Sequence, residues 1–331
     1  MPRGEITAIL DSSNYEYSDL EDYDQVVSLE TDVSCVKDFV SRSSLTRVIC
    51  IELFRCSTDK DTILDEVRNI SSEFLPKRGE SYSVRIKRVK GSSSHLDIPE
   101  MERVIGSLFF HQTSNLKVRF IDPIKPYFGI LSNGMLFFGL KLGEVDSKQF
   151  MTRKPKKRPF FHPTALTAKL ARCMVNLSRA NMGSILLDPF CGTGTILLEA
   201  GMIGCKPIGV DIKASMVKGT YKNVRSYGIE ETGLIVSDAR LLPLKRVDCI
   251  STDPPYGRSS TTMGLKTRDL LIDFLSNLKD VIKKDGFISI AAPIEVEVGN
   301  IGMDIGYNLV ESYQMRVHRS LTREIAVLKA V

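Results

Sequence analysis

No apolar run in these 331 residues approaches the ~18 needed to cross a bilayer. The N-terminus, MPRGEITAILDSSNYEYSDLEDYD, is acidic and lacks the long apolar stretch of a secretory signal, so neither a membrane protein nor an exported one is expected, and the expected location is the cytoplasm. No CxxC pair occurs. The seven cysteines stand apart at 35, 50, 56, 173, 191, 205 and 249, a spacing that excludes a zinc cluster or redox couple and suits reduced, buried thiols. No metal site is expected. A P-loop is excluded, because no Gly-Lys-Ser/Thr follows the one glycine-rich turn. The GxGxxG pattern is absent there too: after Gly192 and Gly194 the third position holds Leu197.

What is present is ordinary for a globular chain of two or more domains, with 43% hydrophobic and 26% charged residues. The net charge of +5 hides an asymmetry. Residues 1–45 carry ten acids and three bases, which leaves 30 acids and 42 bases in the remainder. A basic excess of that size suits a polyanionic partner.

Three blocks and a connector follow along the chain. Residues 1–45 form a small acidic part. Residues 46–149 mix strands with helices: RVICIELFRCS and SYSVRIKRVKG read as strands, and so do LKVRFIDP and MLFFGLKLG. Helical spacing appears at Ile63, Leu64, Val67, Ile70 and Leu75, and again in IPEMERVIGSLFF with Pro99 near its first turn. Residues 150–160 read as a basic linker, because five of the six residues from Arg153 to Arg158 are basic and Pro155 interrupts them. From 161 to 331, SILLD, PIGVD, GLIVSDA, VDCISTD and GFISIAA alternate with helical stretches, the last of them TRDLLIDFLSNLKDVIKK. That alternation predicts an α/β fold with a parallel sheet covered on both faces, and ligands at the C-terminal strand ends.

Those strand ends carry the chemistry. Asp188 closes a strand and leads through Pro189, Phe190, Cys191, Gly192, Thr193, Gly194 and Thr195 into a helix. Glycines there let a ligand approach the backbone. Asp211, about 20 residues on, ends the next strand with Ile212 beside it, the placement of a carboxylate that accepts both ribose hydroxyls. Asp238, followed by Ala239, ends the third and would accept from an adenine amino group. The fourth ends in Asp253-Pro254-Pro255-Tyr256.

In this order DPFCGTGT, GVD, SDA and DPPY resemble the class I S-adenosyl-L-methionine-dependent methyltransferases, in the branch that methylates amino nitrogens. The resemblance implies a Rossmann-like seven-stranded sheet. It also implies that Phe161, His162, Pro163 and Thr164 help hold the methionine end of the cofactor, and that Asp253 serves both cofactor and substrate. An exocyclic amine is a poor nucleophile, since its lone pair is delocalised into the ring. Acceptors aimed at its hydrogens stabilise the positive charge that develops during attack. The Asp253 carboxylate and the Pro254 carbonyl are expected in that role. Pro254 and Pro255 stiffen the corner, and Tyr256 offers a ring for a flipped base.

The basic run, VHRSLTREIAVL and the strand-helix pattern of 46–149 extend the likeness over nearly the whole chain, to the archaeal Trm11 / Trm-G10 family of tRNA (guanine-10 N2) methyltransferases. That resemblance implies a ferredoxin-like part at 1–45, a THUMP RNA-binding domain at 46–149 and a methyltransferase domain at 161–331. It implies N2 methylation of guanosine 10 in tRNA, once or twice; another tRNA position and adenine N6 in DNA are the alternatives. The expected partners are tRNA and a small zinc-binding activator subunit of the Trm112 type. Expected phosphate contacts are Arg85, Lys87 and Arg88, then Arg153, Lys154, Lys156, Lys157 and Arg158, then Arg319 and Arg323. A DNA adenine methyltransferase would need a region that reads the major groove, and none follows the catalytic part. A protein glutamine methyltransferase usually carries Asn in place of Asp253 and lacks the basic module. A nonenzymatic RNA-binding protein would not need Asp253, Tyr256 and three strand-end acids together.

Overall fold

The computed structural model describes residues 1–163, 165–256, 267–319 and 321–331. Helix α1 (Pro2–Ser12) precedes strands β1 (Tyr17–Tyr23) and β2 (Val26–Thr31), helix α2 (Val36–Arg42), strand β3 (Val48–Ser57), helix α3 (Lys60–Arg68), strand β4 (Ser81–Arg88) and helix α4 (Ile98–Gln112). Strands β5 (Lys117–Val118), β6 (Lys125–Ser132) and β7 (Met135–Glu144) come next. The rest comprises α5 (Lys148–Thr152), α6 (Ala168–Leu177), β8 (Ile185–Asp188), α7 (Thr195–Gly201), β9 (Lys206–Asp211), α8 (Ala214–Ser226), β10 (Gly233–Val236) and β11 (Cys249–Thr252). It ends with α9 (Thr267–Leu278), β12 (Phe287–Pro293), α10 (Val298–Ile305), β13 (Asn308–His318) and β14 (Leu321–Lys329).

These elements form two compact units. One comprises Glu16–Val40 and Arg47–Val145; the other comprises Met1–Tyr15, Ser41–Thr46 and Asp146–Val331.

In the first unit a five-stranded sheet runs β3-β7-β6-β4-β5, and β1 pairs with β2 alone. Helices α3 and α4 start where aspartates cap them: Asp59 accepts from the Thr62 N–H and Asp97 from the Glu100 N–H. Ile63, Val67, Ile105 and Phe109 from these helices pack on Tyr127 and Phe138 of the sheet, with the Phe109 and Tyr127 ring centroids 4.5 Å apart. In β4 the strand alternation buries Val84 and Ile86 and turns Arg85 and Lys87 outward. The sequence reading missed β6, because Pro123 and Pro126 flank its start. Yet β6 is central, parallel to β4 and antiparallel to β7. The expected strand LKVRFIDP shrinks to the two residues of β5, and Phe120 and Ile121 stand exposed beyond it.

In the second unit the seven-stranded sheet runs β10-β9-β8-β11-β12-β14-β13. The first five strands are parallel, and β14 runs antiparallel between β12 and β13. An antiparallel strand begins where its parallel neighbour ends, so Arg323 near the start of β14 pairs with Pro293 at the end of β12. Helix α9 stops at Leu278, and Val281 and Ile282 enter the core beyond it, where Ile282 bridges to Val247.

The division of the chain differs from the expected blocks. Helix α1 belongs to the second unit rather than to a separate acidic part, and a buried carboxylate explains why. Glu5 is fully buried and accepts from the Ser43 hydroxyl at 2.9 Å, the Ser44 N–H and hydroxyl at 2.9 and 2.7 Å, the Leu45 N–H at 2.7 Å and Asn176 Nδ2 at 2.8 Å. One side chain thereby ties α1, the Ser41–Thr46 segment and α6 together. Residues 150–160 are likewise packed rather than a free tether. Arg153 and Arg172 both reach the fully buried Glu199, at 2.8 and 2.9 Å. Glu5→Ala would strand several buried donors and should lower the stability of this unit by about 3 kcal/mol, read as a lower urea midpoint. A midpoint equal to that of the parent would mean that α1 is dispensable.

Candidate active site

A cavity of about 870 Å³ opens along the tips of the parallel strands, and Asp188, Asp211, Asp238 and Asp253 all line it. Strand polarity alone brings them together, since each follows or ends a strand that points the same way.

The turn between β8 and α7 forms one wall. Gly192 and Gly194 hold φ of 52° and 77°, the left-handed region that glycine enters without strain. A Cβ on Gly194 would lie 2.6 Å from Thr220 Cγ2, so helix α8 packs against the turn at backbone distance. Two side chains of α8 brace it. The Thr220 hydroxyl donates to the Gly192 carbonyl at 2.8 Å, and Asn223 Nδ2 donates to the Thr193 carbonyl at 2.9 Å. Asn223 also exchanges two bonds with the backbone of Phe160, which tethers the segment leading into His162 to the same helix. His162 and Pro163 line the cavity, Phe161 is 42% exposed, and Thr164 lies outside the described residues.

The four carboxylates differ in surroundings. Asp188 is buried, accepts from the Thr252 hydroxyl at 2.7 Å and the Phe190 N–H at 3.2 Å, and has its pKa pushed up by burial to about 7. Asp211 accepts from the N–H groups of Gly192 and Lys213 at 3.0 and 2.9 Å, and burial raises its pKa as well. Asp238 is held low by Arg240, whose guanidinium grips both carboxylate oxygens at 3.0 and 2.7 Å. The sequence reading left Asp238 free for an adenine amino group. A carboxylate has about four lone-pair sites, so it retains capacity beside the Arg240 fork.

Asp253 follows β11. Burial pushes its carboxyl up to about 6, against the pull of the Arg323 charge and the Tyr256 hydroxyl. Its Oδ2 lies 3.4 Å from Arg323 Nη2, whereas its Oδ1 is buried without a hydrogen-bond partner. Pro254, Pro255 and Tyr256 line the cavity beside it, and Arg323 Nε donates to the Tyr256 hydroxyl. Cys191 sits in the glycine turn, but burial pushes its thiol up, away from a thiolate nucleophile.

The basic residues expected at phosphates separate into two groups. Lys87, Lys154, Lys156, Lys157 and Arg319 are exposed, and Arg85 is exposed beside Glu102 and Phe120. Arg153 and Arg158 are buried instead, Arg153 on Glu199 and Arg158 donating to the Thr195 hydroxyl at 2.6 Å. Arg88 is tied to the carbonyls of Ser93 and Leu96. Arg323 faces the cavity rather than an outer surface. Sequence reasoning also missed Arg240, Met315, Val317, His318 and Leu321, which line the cavity. Alternation along β13 and β14 was the available signal, but it does not say which face meets the strand tips.

Comparison with known proteins agrees with this fold. Residues 155–325 match the family described as "RMKL-like, methyltransferase domain". The chain is 35% identical to a tRNA (guanine(10)-N2)-dimethyltransferase of Methanothermobacter thermautotrophicus, covering 100% of this chain and 96% of that protein. It is 32% identical to the enzyme of the same name from Methanocaldococcus jannaschii, over 100% of this chain and 97% of that one. Among solved structures, TrmN from Thermus thermophilus superposes with a TM-score of 0.55 at 20% identity, covering 100% of this chain and 97% of that one.

The raised value of Asp188 has a consequence for stability. Folding favours its neutral form, so the stability it contributes is complete below the ordinary value of 3.8 and is lost as pH rises through about 7. Asp188→Asn cannot ionise. Relative to the parent it should gain about 1 kcal/mol or more at pH 8 and little at pH 4, measured as melting curves across that range. Parallel pH slopes in the two proteins would show that burial does not set the state of Asp188.

Proposed function

The chain belongs to the tRNA (guanine(10)-N2)-methyltransferase family, and from that premise we propose that it transfers methyl groups to the exocyclic N2 of guanosine 10 in tRNA, giving N2-methyl- and then N2,N2-dimethylguanosine. The observation that carries this reading is the half-buried Asp253 carboxylate, whose Oδ1 is buried and unpartnered, in the same crevice as the glycine turn. A buried acceptor without a donor is a standing cost, and a substrate amino group is the donor that relieves it.

The cofactor is S-adenosyl-L-methionine, which supplies an electrophilic methyl group. A cavity of about 870 Å³ suits a nucleoside that carries an amino-acid side chain, with room for a base beside it. Asp211, at the tip of β9, is proposed to hold the ribose hydroxyls, and Asp238 with Ala239 the adenine. The open backbone at Gly192 and the His162–Pro163 segment are proposed to receive the amino-acid end.

At the reacting centre Asp253 Oδ1 and the Pro254 carbonyl accept the two amine hydrogens, opposing the charge that grows on nitrogen. The corner is preset, because proline fixes φ, so little reorganisation is needed when the base arrives. Tyr256 lies against the cavity and offers its ring to the extruded guanine. The nitrogen sheds its proton after transfer, so no strong base is required. The first unit, with Arg85 and Lys87 on the outward face of β4, and the exposed lysines 154, 156 and 157 are proposed to grip the tRNA backbone. Among the described residues no helix is long and apolar enough to cross a membrane; the cytoplasm, where the tRNA substrate resides, is the proposed site of action.

The test is methylation of unmodified tRNA in vitro by the purified chain, with nucleoside mass spectrometry and position mapping. N2-methylated guanosine at position 10 is expected, and N6-methyladenosine would overturn the assignment. Running the assay with and without a small zinc-binding activator subunit of the Trm112 type decides whether that partner is needed. Asp253→Ala should lose about 100-fold or more in kcat while calorimetric binding of S-adenosylhomocysteine stays close to that of the parent.

A further inference from the structure

Arg323 lies where strand order, rather than any motif, puts it. Strand β14 is antiparallel to β12, so its first residues lie beside the C-terminal tips that carry the site, and Arg323 is opposite Pro293. Across β13 it pairs with Met315, another cavity residue. Its side chain is only 12% exposed, as is fitting for a cation turned inward. It makes three contacts with the catalytic corner: Nη2 to Asp253 Oδ2 at 3.4 Å, Nε to the Tyr256 hydroxyl, and the guanidinium carbon 5.5 Å from the centre of the Tyr256 ring.

We propose that Arg323 is a positioning residue of the methyl transfer, fixing Asp253 and Tyr256 as one set so that Asp253 presents an ionised carboxylate with Oδ1 free for the substrate amine. The proposal rests on the role assigned above to Asp253.

The groups around Asp253 explain why a cation is needed. Asp188 on β8, joined to the base of the corner through the Thr252 hydroxyl, and Asp211 beyond it on β9 are acids. Tyr256 is a neutral phenol whose ionisation burial suppresses. His318 of β13 lines the same cavity, and Glu324, next to Arg323 on β14, is engaged by the Ser312 hydroxyl at 2.8 Å. Among the described residues Arg323 is the cation that, together with the Tyr256 hydroxyl, opposes the loss of water around Asp253. With the carboxyl at about 6, ionisation at neutral pH has a margin of about one unit. Removing the guanidinium erodes that margin and raises the share of neutral acid at pH 7, a form that stabilises positive nitrogen poorly. Lysine restores the charge but not the fork that reaches the carboxylate and the phenol together.

The test is kcat and kcat/KM on unmodified tRNA from pH 5 to pH 9 for the parent, Arg323→Gln and Arg323→Lys, with S-adenosylhomocysteine affinity measured alongside. The parent should lose activity on the acid side near 6. In Arg323→Gln that limb should move up by about one unit or more, with kcat down about twofold or more at pH 7 and recovered towards pH 9. Arg323→Lys should fall between, and cofactor affinity should change little in either. An acid limb that stays in place in Arg323→Gln, or parental kcat at pH 7, would overturn the proposal. A substrate-free arm guards against misfolding. In melting curves at pH 8 the loss caused by Arg323→Gln should be largely reversed when Asp253→Asn is added, and additive losses would overturn the pairing. A parent chain inactive on tRNA both with and without the activator subunit that still showed this coupling would refute the function proposed above and leave the Arg323–Asp253 pairing supported.

Discussion

A carboxylate taken out of water keeps its charge only when a cation or a set of donors goes with it. Asp253 stands at the limit of that rule. It is enclosed at a strand tip, one oxygen lies near Arg323, and the other has no partner. The result is an acid whose affinity for protons sits close to neutrality, which separates it from the solvated carboxylates elsewhere in the chain. The chemistry on an amine proposed for Asp253 needs that compromise. A fully paired carboxylate would have no lone pair to offer, and a fully unpaired one would be protonated.

The sheet makes the compromise possible. Parallel strands gather their C-terminal ends along one edge, so residues far apart in sequence, such as Asp188, Asp211 and Asp253, share a single crevice. The antiparallel β14 breaks the pattern and thereby delivers a side chain from its own beginning to the edge where the others end. Around that edge the fold is braced by buried polar contacts rather than by apolar packing alone. Asn223 ties the glycine turn to Phe160, Arg158 meets Thr195 from behind, and Glu199 gathers Arg153 and Arg172. Such networks cost desolvation, and they hold the backbone proposed to meet the cofactor at close range.

The basic stretch at 153–158 shows how one run of charge divides between two jobs. Lys154, Lys156 and Lys157 remain in water, where they are available to phosphates. Arg153 and Arg158 turn inward, where a planar guanidinium satisfies several oxygens in a dry site better than an ammonium does. The same preference for arginine recurs at Arg172 and Arg323.

Much of the strand-tip crevice was legible in the sequence. Glycines at 192 and 194, an acid at each strand end and the proline pair at 254–255 are local features, and local backbone rules bind them to a turn, a tip and a corner. The parallel sheet also followed from alternating apolar runs, and the central β6 was lost because prolines at its entry mimic a loop. What tertiary structure alone decided is which charges go inside. Arg323 in HRSLTREIAVL looks like any surface base, and Glu5 like part of an acidic tail. Their burial depends on a strand inserted out of sequence order and on a helix docked some 170 residues from its partner Asn176. Desolvation and charge pairing act between neighbours in space, and the order of residues along a chain does not determine those neighbours without the fold.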